Sequence, residues 1–210
     1  MMRFKIDIWA IWILWIFNIA ALVGISIGYE EWFVTKTPLN LMISSLLLFL
    51  VFPLNTVKKV ALFAVLWFGG MLAEWIGIHY GTLFVTYSYG ANLGIKLDGV
   101  PILIGINWAL LTFITARIAQ YMSNNSIFQV LLGASLMLIL DYFMEQSAPR
   151  FDFWEFKDGV VPVKNYITWF LVAVLFHLIL KWGDIKGELR FSVHLYAAQL
   201  LFFVYFFSWF

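Results

Sequence analysis

Three carboxyl groups fall where a passive membrane helix would carry none. Glu74 stands late in one long apolar run, and Asp141 and Glu145 stand late in another. A carboxylate inside a span costs at least about 2.5–3.5 kcal/mol on insertion scales, so it faces a bundle interior or water and marks a functional site. Asp141 and Glu145 are spaced i, i+4 and share one helix face. Glu74 shares its face with Gly70, Gly77 and Gly81, and such glycines let a neighbouring helix or a ligand come close. Apolar burial and mutual repulsion favour one carboxyl keeping its proton, which makes it an acid. The structural alternative is that these groups pair with Arg150, Lys96 or asparagines and only join helices. Asn107, Asn165 and Gln146 lie at the same depth, able either to hold a water or to bridge helices.

Other chemistries lack their residues. The chain has no cysteine, which removes disulfides, thiolate catalysis and thiolate metal sites. His79, His177 and His194 are scattered without HxxxH spacing, so no metal centre is expected. No phosphate-binding glycine motif occurs, so no nucleotide is expected. A net charge of +1 leaves no basic footprint for nucleic acid. The last apolar run holds no lysine for a retinal Schiff base. The acidic segment 141–145 has no second aspartate-rich partner of the kind that metal-diphosphate prenyl transfer uses.

A membrane bundle must position the three acids. Apolar residues make up 63% of the chain and charged residues 12%, against about half and about a quarter in soluble domains. The expected fold is an all-α, polytopic membrane helix bundle, with residues 1–210 as one integral domain in the cell membrane. Seven apolar runs, at 7–28, 38–52, 57–80, 101–121, 127–145, 163–182 and 191–209, approach the roughly 20 residues that span hydrocarbon. The second is short and is interrupted by Pro53. Their continuous apolarity argues against a membrane β-barrel. The first run follows Arg3 and Lys5 but is too long for a signal peptide and lacks a small-residue cleavage site, so it reads as an uncleaved helix. Eight Lys and Arg fall on the N-terminal side and five on the other, which places the N-terminus in the cytoplasm. Trp9, Trp32 and Trp209 read as interfacial anchors, Gly24 and Gly28 as a helix-packing pair, and 202–210 as a lipid-facing run.

Two connections, about 81–100 and 146–162, are longer than a link requires. One carries Phe84, Tyr87 and Tyr89; the other carries Phe151, Phe153, Trp154 and Phe156. They also hold Asp98 and Asp152, secondary acids on the same side as the buried ones. Each connection enters a helix through a proline, Pro101 or Pro162, which suits a first helical turn. Seven residues after each proline stands a tryptophan, Trp108 or Trp169. The third and fourth helices, and the fifth and sixth, therefore read as two like-oriented hairpins, a parallel internal repeat. Aromatic residues reach 20%, more than interfacial belts need. The excess suits a flat, hydrophobic or cationic species within the bundle.

A longer set of residues stands in order and spacing: Glu74-Trp-Ile-Gly77, Tyr80-Gly81-Thr-Leu-Phe84, Tyr87-Ser-Tyr89, Leu93-Gly94, Gly99-Val100-Pro101 and Trp108. Asp141, Glu145, Phe153-Trp154, Val161-Pro162, Asn165 and Trp169 follow. Over about half its length the chain thus resembles the membrane carotenoid 1,2-hydratases of the carotenoid biosynthesis protein family, among them the γ-carotene and bisanhydrobacterioruberin hydratases. Val85 departs from that family's glycine, and Glu145-Gln146 from its Asp-Pro. The resemblance implies addition of water across the terminal C1–C2 double bond of an acyclic carotenoid such as lycopene or γ-carotene. The product is a tertiary alcohol, and neither a redox cofactor nor a metal is implied.

The residues fit that chemistry on their own terms. Hydrating an isolated trisubstituted alkene needs a strong local acid and then water to capture a tertiary cation. Glu74, Asp141 and Glu145 are the candidate catalytic carboxyls, with Asp141, a turn deeper and drier than Glu145, the expected proton donor. Tyr87, Tyr89, Trp108, Trp154 and Trp169 are placed to stabilise a cation, and Asn165 and Asn107 to bind substrate or water. A lycopene-type cyclase is the first alternative, since it begins with the same protonation and traps the cation with an internal alkene. A non-enzymatic polyene binder or transporter is the second, for which acids would be strung through the membrane depth.

Overall fold

Hydrocarbon offers no water to backbone N–H and C=O groups, so long apolar runs satisfy them internally as helices. The computed structural model describes residues 2–208, with side chains from 6 onward. Its helices are α1 (Met2–Ser26), α2 (Glu30–Val34), α3 (Thr37–Val51), α4 (Val57–Tyr80), α5 (Ile102–Met122), α6 (Ser126–Ser147), α7 (Val163–Lys181) and α8 (Leu189–Phe207). Seven stretches are long and apolar enough to cross a membrane, which makes the chain a multi-pass membrane protein. The second expected run, 38–52, gains length at its start. α2 leads into α3 and the two give a 22-residue span, Glu30–Val51. Phe52 ends it with an extended ψ of 148°, as a residue before proline must.

α5 is the axis of the bundle. It packs on α3, α4, α6, α7 and α8, and 67% of its span is buried against 28–39% for the others. Pro101 and Pro162 start α5 and α7 from the N-cap position, one residue ahead of the first turn expected for them.

The two long connections are not separate loops. Strand β1 (Tyr87–Tyr89) of one pairs antiparallel with β4 (Trp154–Phe156) of the other, Tyr87 opposite Phe156 and Tyr89 opposite Trp154. Both connections therefore close the same end of the bundle. A tight hairpin, β2 (Lys96–Leu97) and β3 (Val100–Pro101), then delivers the chain to α5. Its two central residues, Asp98 and Gly99, have φ of 47° and 85°, as a two-residue hairpin turn of type I′ requires. Asp98 is thus a turn residue, and its carboxylate accepts the Trp75 indole N–H at 2.7 Å on the outer surface. Asp152 is likewise exposed and at positive φ; its carboxylate accepts Ala91 N–H at 2.8 Å and ties the two connections. Neither reaches the buried acids, which corrects their reading as secondary acids.

Other expectations change with packing. Gly24 makes room for Phe33 of α2, while Gly28 ends α1 at φ 98°, so they are not one helix-packing pair. Phe206, expected to face lipid, is fully buried beneath Phe151. Trp9 is exposed as an anchor would be, and Trp32 combines exposure with lining a cavity. Trp209 and the side chains of Arg3 and Lys5 lie outside the described residues.

The turn assignment is testable. Asp98→Asn keeps a residue tolerant of positive φ and should leave the unfolding midpoint in detergent unchanged. Gly99→Val should lower stability by about 1–2 kcal/mol. A fall in the Asp98→Asn midpoint as large as that of Gly99→Val would show that the charge, not the turn, is what matters there.

Candidate active site

The acids are assembled by four helices and the ribbon. On α4, Gly70 and Gly77 flank Glu74 by one turn. A Cβ at Gly70 would stand 2.8 Å from Cβ of Trp108, and one at Gly77 would run into Phe84 and come within 3.2 Å of the Tyr87 phenol oxygen. The missing side chains let α5 and β1 close on the carboxyl. Trp108 Nε1–H donates to Glu74 Oε1 at 2.8 Å, and the Tyr87 hydroxyl donates to Glu74 Oε2. Burial, and then the Glu74 carboxyl beside it, push the Tyr87 phenol well above its ordinary value, so it remains a donor.

On α6, Glu145 is held by the same device. Trp154 Nε1–H of β4 donates to it at 2.6 Å, and Asn165 Nδ2 of α7 donates at 2.7 Å. Asp141, one turn deeper, is fully buried. Neither of its oxygens has a hydrogen-bond partner among the described residues, and it lies within electrostatic reach of Glu145 and Glu74. The two tryptophans that follow the prolines, Trp108 and Trp169, stack on each other at 3.6 Å and 14°. The four donors to Glu74 and Glu145 are neutral groups and not cations. Arg150 is engaged by Glu30 at 2.6 Å, and Lys96 donates to the Tyr89 carbonyl at 2.6 Å.

Two cavities meet here. A small one of about 10 Å³ lies between Glu74 and Glu145, walled by Tyr87, Tyr89, Ile104, Trp154, Phe156, Asn165 and Trp169. A large apolar chamber of about 420 Å³ runs between α1, α2, α3, α5 and α8. Ile16 and Leu39 on its rim are 61% and 48% exposed, so it opens on the outer face of the bundle. Ile104 and Trp154 border both cavities.

Of the residues singled out in the sequence, Glu74, Glu145, Tyr87, Tyr89, Trp154, Trp169 and Asn165 line the small pocket, and Trp108 binds Glu74 behind it. Asp141 lines neither cavity and sits behind the pocket. Asn107 lines the large chamber instead. Gln146 turns to the Tyr166 hydroxyl at 3.5 Å. His177 is engaged by Thr115 and the Ala173 carbonyl, and His194 by Trp15. Ile104 was not singled out in the sequence, and Phe156 stood there only as one aromatic of the second connection. The alternation Trp154-Glu155-Phe156 carried a strand signal for Phe156; nothing in the sequence marked Ile104.

The arrangement offers paired carboxyls to give and take protons, and aromatic faces to hold positive charge. It places them beside an apolar space in the 300–1,000 Å³ range of small-molecule sites. No curated protein and no solved structure matches the chain. The model of one family, described as carotenoid biosynthesis protein, matches residues 35–210. The match spans the elements that bear Glu74, Asp141, Glu145 and the donors to them, and the chain belongs to the carotenoid biosynthesis protein family.

Proposed function

We propose that the protein is a cofactor-independent carotenoid hydratase that adds water across the terminal C1–C2 double bond of an acyclic carotenoid end. The reading is carried by the position of the acids directly behind a wall, Ile104 and Trp154, that they share with an apolar chamber open to the outside of the bundle. The chamber takes the isoprenoid end, and its terminal double bond meets the carboxyl pocket at that wall.

Asp141 carries the proton. An ionised carboxylate with no donor in a dry interior costs far more than a neutral one, and Asp141 has no donor. Glu74 and Glu145 each accept two hydrogen bonds, the pattern of a carboxylate that receives protons. The proton held at Asp141 is relayed through Glu145, its i+4 neighbour on the pocket wall, to the less substituted alkene carbon, and the π pair forms the new C–H bond. The tertiary cation faces Trp169 and Trp154, and a water oxygen then closes the C–O bond. Glu145 takes the proton released by that water.

Expression in cells that make lycopene, with mass analysis of the pigment, tests the reading: the expected product gains one water per end. A ring product of unchanged mass would make the protein a cyclase, and unaltered pigment a binder. Asp141→Asn should lower hydration by at least about 100-fold with membrane protein level nearly unchanged. Lost expression with normal conversion per molecule would instead give Asp141 a structural role. Trp169→Leu removes a π face and should slow conversion about tenfold or more, while Trp169→Phe should recover most of it.

A further inference from the structure

The small pocket and the large chamber differ in kind. The pocket has about 10 Å³, the room of a single water, which needs roughly 10–15 Å³ and two to four polar partners. Five polar side chains converge on it: Glu74, Glu145, Tyr87, Tyr89 and Asn165. None of the five borders the chamber. Asn165 is 2% exposed, and its Nδ2 is committed to Glu145 at 2.7 Å. That bond fixes the amide plane and leaves its Oδ1 as an acceptor for a water proton.

We propose that the carboxyl pocket is a one-water chamber, partitioned from the apolar chamber by Ile104 and Trp154, and that Asn165 is the residue that positions the nucleophilic water. The proposal rests on the hydratase reading and adds what decides the fate of the cation. The partition keeps the carotenoid chain in the apolar chamber and presents only its terminal double bond to the water, at the gap between Ile104 and Trp154. The cation therefore meets water before it meets another double bond. In the capture step the water lone pair forms the C–O bond and the resulting oxonium returns one proton to Glu145. Alkene plus water gives tertiary alcohol, with no change in oxidation balance.

The test uses full-length protein in native membranes, supplied with lycopene in deuterated water. A protonated end that is not captured loses a proton again, so deuterium accumulates in recovered lycopene. Asn165→Leu should cut alcohol formation by about 10-fold or more, a modest share of what a positioned proton-transfer partner supplies. Deuterium entry into unhydrated lycopene should stay within about twofold of the parent, because the acid is intact. Ile104→Ala thins the partition without touching a polar group, and should divert product from alcohol to rings of unchanged mass. Parallel loss of alcohol and deuterium in Asn165→Leu would overturn the assignment, since Asn165 would then serve protonation or folding. An unchanged alcohol fraction in Ile104→Ala would overturn the partition whether or not Asn165→Leu accumulates. Failure of the hydratase reading is separately visible, as parent protein that takes up deuterium or forms rings but never adds water.

Discussion

A carboxyl inside a membrane-spanning bundle is tolerable only where neighbours supply donors, and that constraint organises this molecule. Placing such a group within a span costs at least about 2.5–3.5 kcal/mol. A hydrogen bond to a charged group returns about 1.5–3 kcal/mol, so two donors per carboxyl are of the size required. Glu74 receives an indole and a phenol, and Glu145 receives an indole and an amide. Two of those donors, Tyr87 and Trp154, come from the connections. The connections must therefore fold back over the helix ends, and the antiparallel β1–β4 pairing is how they do so. The glycines on α4 and the burial of Tyr87 and Phe156 on the inner face of the ribbon follow from the same demand.

Asp141 stands outside that scheme and shows what the scheme is for. It has the burial of Glu74 and Glu145 and none of their donors. Three acids in one place with two environments are an arrangement that acid–base chemistry uses. The neutral partners matter as much. In the proposed reaction a cation beside the cluster would compete with the positively charged intermediate, and Arg150 is paired with Glu30 of α2 instead.

What could be read from the sequence was whatever a local run of residues decides. Spans, the depth of the three acids and the aromatic character of the connections all follow from hydropathy and position along one segment. The ribbon did not, because pairing Tyr87–Tyr89 with Trp154–Phe156 joins segments more than 60 residues apart and each strand is only three residues long. Asp98 was misread for the opposite reason. Its acidity drew notice, while the Asp98-Gly99 pair was a strong local signal for a hairpin turn. Asn107 lines the chamber and not the carboxyl pocket beside Asn165, since helical position gives depth and only packing gives facing.

That distinction between depth and facing is sharpest on α5. Ile104, Asn107 and Trp108 are spaced i, i+3 and i+4 and crowd one side of its first turns. Ile104 borders both cavities, Asn107 faces the chamber and Trp108 reaches Glu74. Shifting the helix by one residue would rotate it by roughly 100° and misplace all three together. Its start is fixed by contacts that touch no acid. The Asp98-Gly99 turn sets the register of Val100 and Pro101, Ile102 N–H bonds the Ile95 carbonyl at 3.0 Å, and Trp67 Nε1–H bonds the Ile102 carbonyl at 3.1 Å. Gly105 lets α5 close against Trp67. A surface hairpin thus determines which side chain of a central helix divides the apolar chamber from the carboxyl pocket, and a residue with no chemistry of its own, Ile104, stands at the boundary because of it.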